Sequence, residues 1–291
     1  MISKKILSVA VIAFCISVLY FFMFTPYGVH TFGETLFGGD KKKQFESSNH
    51  PSKLNGIKSI SKSVHLPKKV KQPSGIDFNQ EKNSFFIVTD QAEIVELSED
   101  LVEVNSFVTM SKKPLIFRQG TVESVDFYQN KLFVGGDLGI IEIWEKQSHE
   151  WIKTGAIQSK QKNAAYMEAE ALAINPSTEN LYLGKDHTIA IVDQEGNLVS
   201  EFDLQVSTKD NRSVSEYAIS GMDFYDGQLY VLTEYHSAIL SVNPFNGEVD
   251  SIFALEGITE GAGLCVRENS FIVVVDHELN EVSPGVKFYN R

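Results

Sequence analysis

From residue 72 onward the chain repeats itself. Five segments place a small residue, an apolar residue, any residue and a second apolar residue in that order: Gly75-Ile76-Asp77-Phe78, Ser124-Val125-Asp126-Phe127, Ala171-Leu172-Ala173-Ile174, Gly221-Met222-Asp223-Phe224 and Gly263-Leu264-Cys265-Val266. They begin 49, 47, 50 and 42 residues apart. After each comes a turn rich in Asn, Gln, Asp, Pro or Glu, then an apolar run that ends near an acid: Asp90, Asp137, Asp186, Glu234 or Asp276. Those acids recur at 47, 49, 48 and 42 residues, an independent sign of the same period. A third and a fourth run follow in each unit, separated by turn signals such as Asp193-Gln194-Glu195-Gly196 and Asn243-Pro244-Phe245-Asn246-Gly247.

Units of four short strands at a period of roughly 40 to 50 residues specify a β-propeller. Helical periodicity is nearly absent from this part of the chain, which excludes most α/β enzyme folds. The expected body, residues 57–291, is therefore all-β: a five-bladed β-propeller of four-stranded antiparallel blades. The fifth unit is short of a strand, because after residue 276 only residues 286–289 read as one before the chain ends at Arg291. Residues 57–66, a β-like segment ahead of the first unit, are expected to pair into the last blade and close the ring, removing an open sheet edge.

The leading segment is of another kind. Residues 6–24 are 19 consecutive residues without a charge, enough for a helix to span a hydrocarbon core of about 30 Å. A cleavable signal has a shorter apolar core and a small-x-small site, whereas this run continues through Tyr20-Phe21-Phe22-Met23-Phe24 into Thr25-Pro26-Tyr27. It reads as an uncleaved transmembrane helix. Lys4 and Lys5 precede it, and no Lys or Arg occurs in the fifteen residues after it. This asymmetry leaves residues 1–5 in the cytoplasm and puts the body in the periplasm or another extracytoplasmic space, held to the cell (inner) membrane by a single pass. Residues 25–56, with Gly38-Gly39 and Lys41-Lys42-Lys43, read as a flexible linker.

Charge follows the same division. Residues 1–71 carry 11 Lys and 3 acids, while residues 72–291 carry 15 Lys and Arg against 35 acids. An acidic body repels nucleic-acid phosphates, so nucleic acid is excluded as a general partner, and cations, cationic ligands or basic protein surfaces are favoured. The two cysteines, Cys15 and Cys265, are too far apart in the chain to suggest a disulfide or a cysteine-based zinc site, and Cys265 reads as a small buried hydrophobe.

In a four-stranded blade the first strand lines the axis and the second returns beside it, so the end of the second lies at the same mouth as the start of the first. Asp90, Asp137, Asp186, Glu234 and Asp276 then share one face with Glu123, Glu168, Glu170 and Glu260, which stand at or just before the axial strands. Clustered carboxylates repel one another unless a cation or a proton intervenes, and hard oxygen donors on loops suit Ca²⁺. One reading makes Glu123, Glu168, Glu170 and Glu260 a calcium site and the five strand-end acids a ligand-binding rim. The other makes the recurring acids turn residues that bond backbone N–H groups of their own blades. His187, His236 and His277 lie close to three of the acids, but neighbouring strand residues point to opposite faces, so no catalytic residue is assigned. The chain holds no Gly-x-Ser-x-Gly elbow, phosphate loop, His-Glu-x-x-His helix or EF-hand loop. Trp144 and Trp151 read as packing residues.

At the repeat starts, Gln72-Pro73-Ser74-Gly75-Ile76, Glu168-Ala169-Glu170-Ala171-Leu172, Ile219-Ser220-Gly221-Met222 and Glu260-Gly261-Ala262-Gly263-Leu264 resemble the "EASGL", "DLEGI" and "DISGL" segments of the SdiA-regulated, YjiK-like family. The resemblance runs from about residue 57 to residue 289. It implies a five-bladed propeller distantly similar to NHL-repeat proteins, with a calcium site and an N-terminal hydrophobic anchor. Glu168, Glu170 and Glu260 match acidic family positions, and Glu123 keeps the second acid of the "DLEG" segment. Gln72, Thr121 and Ala218 stand where an acid is expected, and Ser124 and Ala171 where Gly is usual. The expected function is that of a membrane-anchored, non-catalytic module binding a small ligand or an envelope protein at its acidic mouth. The alternative is a metal-dependent hydrolase of lactones or phosphate esters using the same mouth.

Overall fold

A strand pressed between two neighbouring sheets must be apolar at every position, whereas a strand with one wet face alternates. The second strands of the units are of the first kind along their centres. In the computed structural model, which describes residues 54–110, 121–137, 139–159, 165–205, 217–234, 236–258, 261–276 and 284–291, they form the centres of five sheets. The expected span at residues 6–24 and the linker up to residue 53 lie outside the described residues. Among the described residues no helix is long and apolar enough to cross a membrane.

The described chain begins with β1 (Leu54–Lys58) and β2 (Ile60–His65). Blade 1 comprises β3 (Pro73–Asn79), β4 (Ser84–Thr89), β5 (Glu93–Ser98) and β6 (Val104–Thr109). Blade 2 comprises β7 (Val122–Tyr128), β8 (Lys131–Gly136), β9 (Ile140–Gln147) and β10 (Glu150–Gln158). Blade 3 comprises β11 (Ala171–Ile174), β12 (Leu181–Lys185), β13 (Thr188–Val192) and β14 (Leu198–Asp203). Blade 4 comprises β15 (Ile219–Tyr225), β16 (Gln228–Thr233), β17 (Ala238–Val242) and β18 (Val249–Leu255). Blade 5 begins with β19 (Gly261–Arg267), β20 (Ser270–Val275) and β21 (Gly285–Asn290), and its outer strand is β2, which runs antiparallel to β21 with Val64 opposite Val286. The chain is thus an all-β, five-bladed propeller of four-stranded antiparallel sheets.

Residues 57–66 are divided between two blades. Ile57 and Lys58 belong to β1, which adds a fifth, parallel strand to blade 4, and β2 enters blade 5. The crossover is pinned at Glu256, whose N–H donates to the Lys58 carbonyl at 3.0 Å and whose carboxylate accepts from the Ser59 hydroxyl at 2.8 Å.

Alternation along each second strand sends its side chains into two different interfaces. Phe85 and Ile87 of β4 pack toward blade 5, while Phe86 and Val88 pack toward blade 2. In β20, Ile272 and Val274 face blade 1, while Phe271 and Val273 face blade 4. The five buried clusters correspond to the five joints between blades. Trp144 and Trp151 fill the joint between blades 1 and 2, where the Trp151 ring stands edge-on to Phe86 at 5.1 Å. In the same joint Glu96 is buried. Burial alone would raise its pKa, but hydrogen bonds from Lys146, Ser106 and Trp151 hold it below the ordinary value.

The small residue of each repeat is explained at the axis, where the inner strands meet without side chains between them. A Cβ added to Gly263 would lie 2.9 Å from both the Cα of Gly75 and the N of Ile76, and one added to Gly221 would lie 2.6 Å from the N of Leu264. Backbone cannot yield as a flexible side chain can, so Gly263→Ala is expected to cost about 1–3 kcal/mol, read from urea unfolding. Removing residues 54–65 exposes the outer edges of blades 4 and 5. That truncation is expected to lower the melting temperature by at least ten degrees or abolish cooperative melting by circular dichroism, on the order of losing several kcal/mol of burial.

Candidate functional site

Four of the five inner strands carry a β-bulge at one repeat position. Register shifts fall between Pro73 and Gly75, Val122 and Ser124, Ile219 and Gly221, and Gly261 and Gly263, so the extra residues are Ser74, Glu123, Ser220 and Ala262. A bulge re-aims one side chain out of the pleat. Here Ser74, Glu123 and Ser220, together with Glu170 just before β11, line a narrow axial space whose wall is completed by the small residues and by Ile76, Val125, Leu172, Met222 and Leu264. The Ser74 hydroxyl donates to the Val122 carbonyl at 2.6 Å, and the Ser124 hydroxyl to the Ala169 carbonyl at 3.2 Å, so two of the polar groups are spent in joining blades.

The strand-end acids reach this mouth through backbone pairing. The Asp90 N–H donates to the Gln72 carbonyl at 3.0 Å, that of Asp137 to Thr121 at 3.3 Å and that of Glu234 to Ala218 at 2.9 Å. In blade 3 the Asp186 carbonyl accepts from the Ile219 N–H at 2.7 Å. Asp186, at φ 52°, also makes with His187 the two-residue turn between β12 and β13, a conformation Asp tolerates better than most residues. Asp276 follows the last residue of β20.

Glu123 is the electrostatic centre of the mouth. Burial, followed by the charge of Asp90 and, further down, those of Asp137 and Glu170, pushes its pKa up to about 7. The Thr121 hydroxyl bonds Glu123 and also donates to the Asp137 carboxylate at 2.6 Å. A hydroxyl has one proton for two carboxyls, so a protonated Glu123 that donates to Thr121 completes the chain to Asp137. Glu170 is raised as well, by burial and by the charge of Asp186, against the stabilising N–H of Asp186, which its carboxylate accepts at 3.4 Å.

Of the four residues expected to hold calcium, Glu123 and Glu170 face one space with Asp137 in electrostatic reach of both. Glu168 instead pairs with Lys185, which occupies its carboxylate. Glu260 lies outside the described residues, as does His277. The oxygen-only donors Glu123, Glu170 and Asp137 fit a hard cation in chemistry, and a cation would offset the neighbouring charges that add to burial in raising Glu123. His187 has Nε2 3.9 Å from the Asp203 carboxylate, and His236 is buried against the Tyr217 ring with centroids 4.4 Å apart. Neither lines the axial space.

The sequence reading missed a second acidic layer. Two residues beyond the small position, Asp77, Asp126 and Asp223 sit in the inner strands, Asp126 buried and Asp77 and Asp223 half-buried. An oxygen of Asp77, an oxygen of Asp223 and the sulfur of Cys265 lie within 4.8 Å of one another. The signal was available: an acid at the third position of three of the five repeats, in otherwise apolar strands. Cys265 is the small buried hydrophobe expected of it, at 1% exposure and packed with Ile76, Ile272 and Val274, and its sulfur also meets the carboxyls of Asp77 and Asp223.

The fold and its axial mouth define a β-propeller with five blades. No family model matches the chain, and no curated protein matches it. Among solved structures, glutaminyl cyclase from Myxococcus xanthus is similar with a TM-score of 0.61 and 14% identity, over 81% of this chain and 97% of that one. The WD40 domain of Neurospora crassa Pan2 aligns at a TM-score of 0.47 and 11% identity, over 85% of this chain and 70% of that one. At 14% identity the likeness to the cyclase is one of fold.

With Glu123 titrating near neutrality, its side-chain carboxyl resonance is expected to move with a midpoint near pH 7 in ¹³C spectra. Asp137→Asn removes a like charge and is expected to lower that midpoint. A midpoint that stays in place or rises in the variant contradicts the electrostatic account.

Proposed function

We propose that the chain is a membrane-anchored, extracytoplasmic propeller of the SdiA-regulated, YjiK-like kind, acting as a non-catalytic module that binds a small ligand or an envelope protein at its acidic axial mouth. The observation that carries this reading is the convergence of Glu123 and Glu170 on one axial space with Asp90 and Asp137 near enough to raise Glu123. Such a surface holds positive charge: calcium, or a cationic group on the partner. Calcium would be held by Glu123, Glu170 and Asp137, and would supply charge neutralisation that orders the mouth. The anchor at residues 6–24 and the linker at residues 25–56 would then place that mouth outside the cytoplasm, in reach of envelope proteins.

Calcium titration of the full chain in mild detergent, followed by calorimetry, tests the reading. Saturable binding lost in the Glu123→Gln plus Glu170→Gln variant is the expected result. The absence of binding, or equal binding in the variant, removes the mouth as a cation site.

A second reading is favoured by one observation. A carboxyl whose pKa lies near 7 suits general acid-base work, as a hydrolase of lactones or phosphate esters at this mouth would require. Metal-dependent turnover abolished by Glu123→Gln would select it. Silence across an esterase, lactonase and phosphatase panel would leave the binding module.

A further inference from the structure

The axial aspartates are each committed twice. One oxygen of each accepts a backbone N–H from the inner strand of the next blade: Asp77 from Phe127 at 2.5 Å, Asp126 from Ile174 at 2.8 Å and Asp223 from Val266 at 2.5 Å. These bonds fasten blade 1 to blade 2, blade 2 to blade 3, and blade 4 to blade 5. Cys265 supplies the corresponding link from blade 5 to blade 1, because its thiol bonds the Asp77 side chain. In blade 3 the equivalent residue is Ala173, so the joint between blades 3 and 4 lacks such a link and is packed instead by Gly184 against Ile219 and Met222.

The same carboxyls face one another across the axis. Asp77 acts on Asp126, and both act on Asp223. Their other neighbours are Cys265 and, through it, Arg267, whose guanidinium is engaged elsewhere: it stacks 3.9 Å over the Phe78 ring and donates to Glu99 at 3.4 Å. Buried carboxylates this close repel one another strongly when all are ionised. A proton on a carboxyl removes the charge while leaving an oxygen free to accept the N–H.

We propose that Asp77, Asp126 and Asp223 form a proton-held latch at the propeller axis, in which retained protons keep the inner strands of neighbouring blades drawn together and their release to solvent loosens the ring. Burial, the largest influence, raises Asp77 to about 7 and holds Asp126 and Asp223 well above the ordinary carboxylate range. The folded protein therefore binds more protons than the unfolded chain above about pH 4, where a free Asp ionises. The sign follows: the contribution of these groups to stability is greatest at about pH 4 and below and is lost as pH rises, by about pH 7 for Asp77 and beyond it for Asp126 and Asp223, opposite to the loss on acidification that a salt-bridged carboxylate produces.

The test is thermal melting of the full chain in detergent between pH 5 and pH 9. Glu123 and Glu170 contribute with the same sign, so every sample carries Glu123→Gln plus Glu170→Gln, and each melt is run with EDTA and, in parallel, with Zn²⁺ or Ca²⁺ in its place. In that background the melting temperature is expected to fall with rising pH. Asp126→Asn and Asp223→Asn keep an oxygen that accepts the N–H but cannot ionise, so each is expected to flatten the slope and to melt above the parent at pH 9. Asp223→Ala, which loses the acceptor, is expected to melt lower at every pH. An independent reading is the infrared carbonyl band of a protonated carboxylic acid at pH 7, present in the parent background and diminished in each Asn variant. The proposal is overturned if the Asn variants keep the parent's slope, if the protonated band is absent, or if the slope appears only with EDTA and is cancelled by added Zn²⁺ or Ca²⁺, which would make a metal ion the group that joins the carboxyls.

Discussion

Everything in this propeller hangs on how closely five strands approach one axis. Gly75, Gly221 and Gly263 let backbone pack against backbone, and that contact leaves room for only a narrow channel. Once the inner strands are fixed, the second strand of each blade has a neighbour on both sides and must be apolar along its centre. The outer strand, as in β14 with exposed Leu198 and Val199, faces solvent. Five separate apolar joints, rather than one central core, are the outcome. The ring is as strong as the joints are alike, and they are unlike: one contains the buried Glu96 network, and another lacks the axial carboxyl link.

The acids divide into two populations by depth. At the mouth, Glu123 and Glu170 are aimed into an axial space open to solvent, by a bulge in one case and by the short start of β11 in the other. Three residues further along the strands, Asp77, Asp126 and Asp223 are turned into the joints and bonded to the next blade. The two layers answer the same electrostatic difficulty differently. The upper one can be neutralised by something that arrives, the lower one by protons already present.

Much of this was legible from the residues. The period gave the blades, and the position of the acids after the second strand of each unit gave the face on which they gather, because strand direction in a meander is fixed by topology alone. What was not legible depended on side-chain partners or on register. Glu168 looked like a free ligand until Lys185 was found on it, and nothing in the spacing of residues 168 and 185 announces an ion pair. The division of residues 54–65 between two blades turns on the break at Ser59, and a β-like run does not reveal in which sheet each part belongs. Asp77, Asp126 and Asp223 are visible as letters in the repeat, where nothing in the spacing marks them as more than variable positions. Their role appears only when the next blade supplies the N–H.

The composition of blade 5 from both ends of the described chain bears on how the protein is made. Ser61 on β2 meets Phe288 on β21 across a separation of 227 residues. During synthesis β2 emerges before any blade, yet its sheet is complete only when the last strand has left the ribosome. Contacts so distant in sequence close late, and they slow folding in proportion to the chain entropy they must overcome. Until then the edge of β21 is absent and that of β2 is open, which makes the nascent chain a candidate for strand exchange with its neighbours. Among the described strands β2, six residues long, waits longest for the strand that pairs with it.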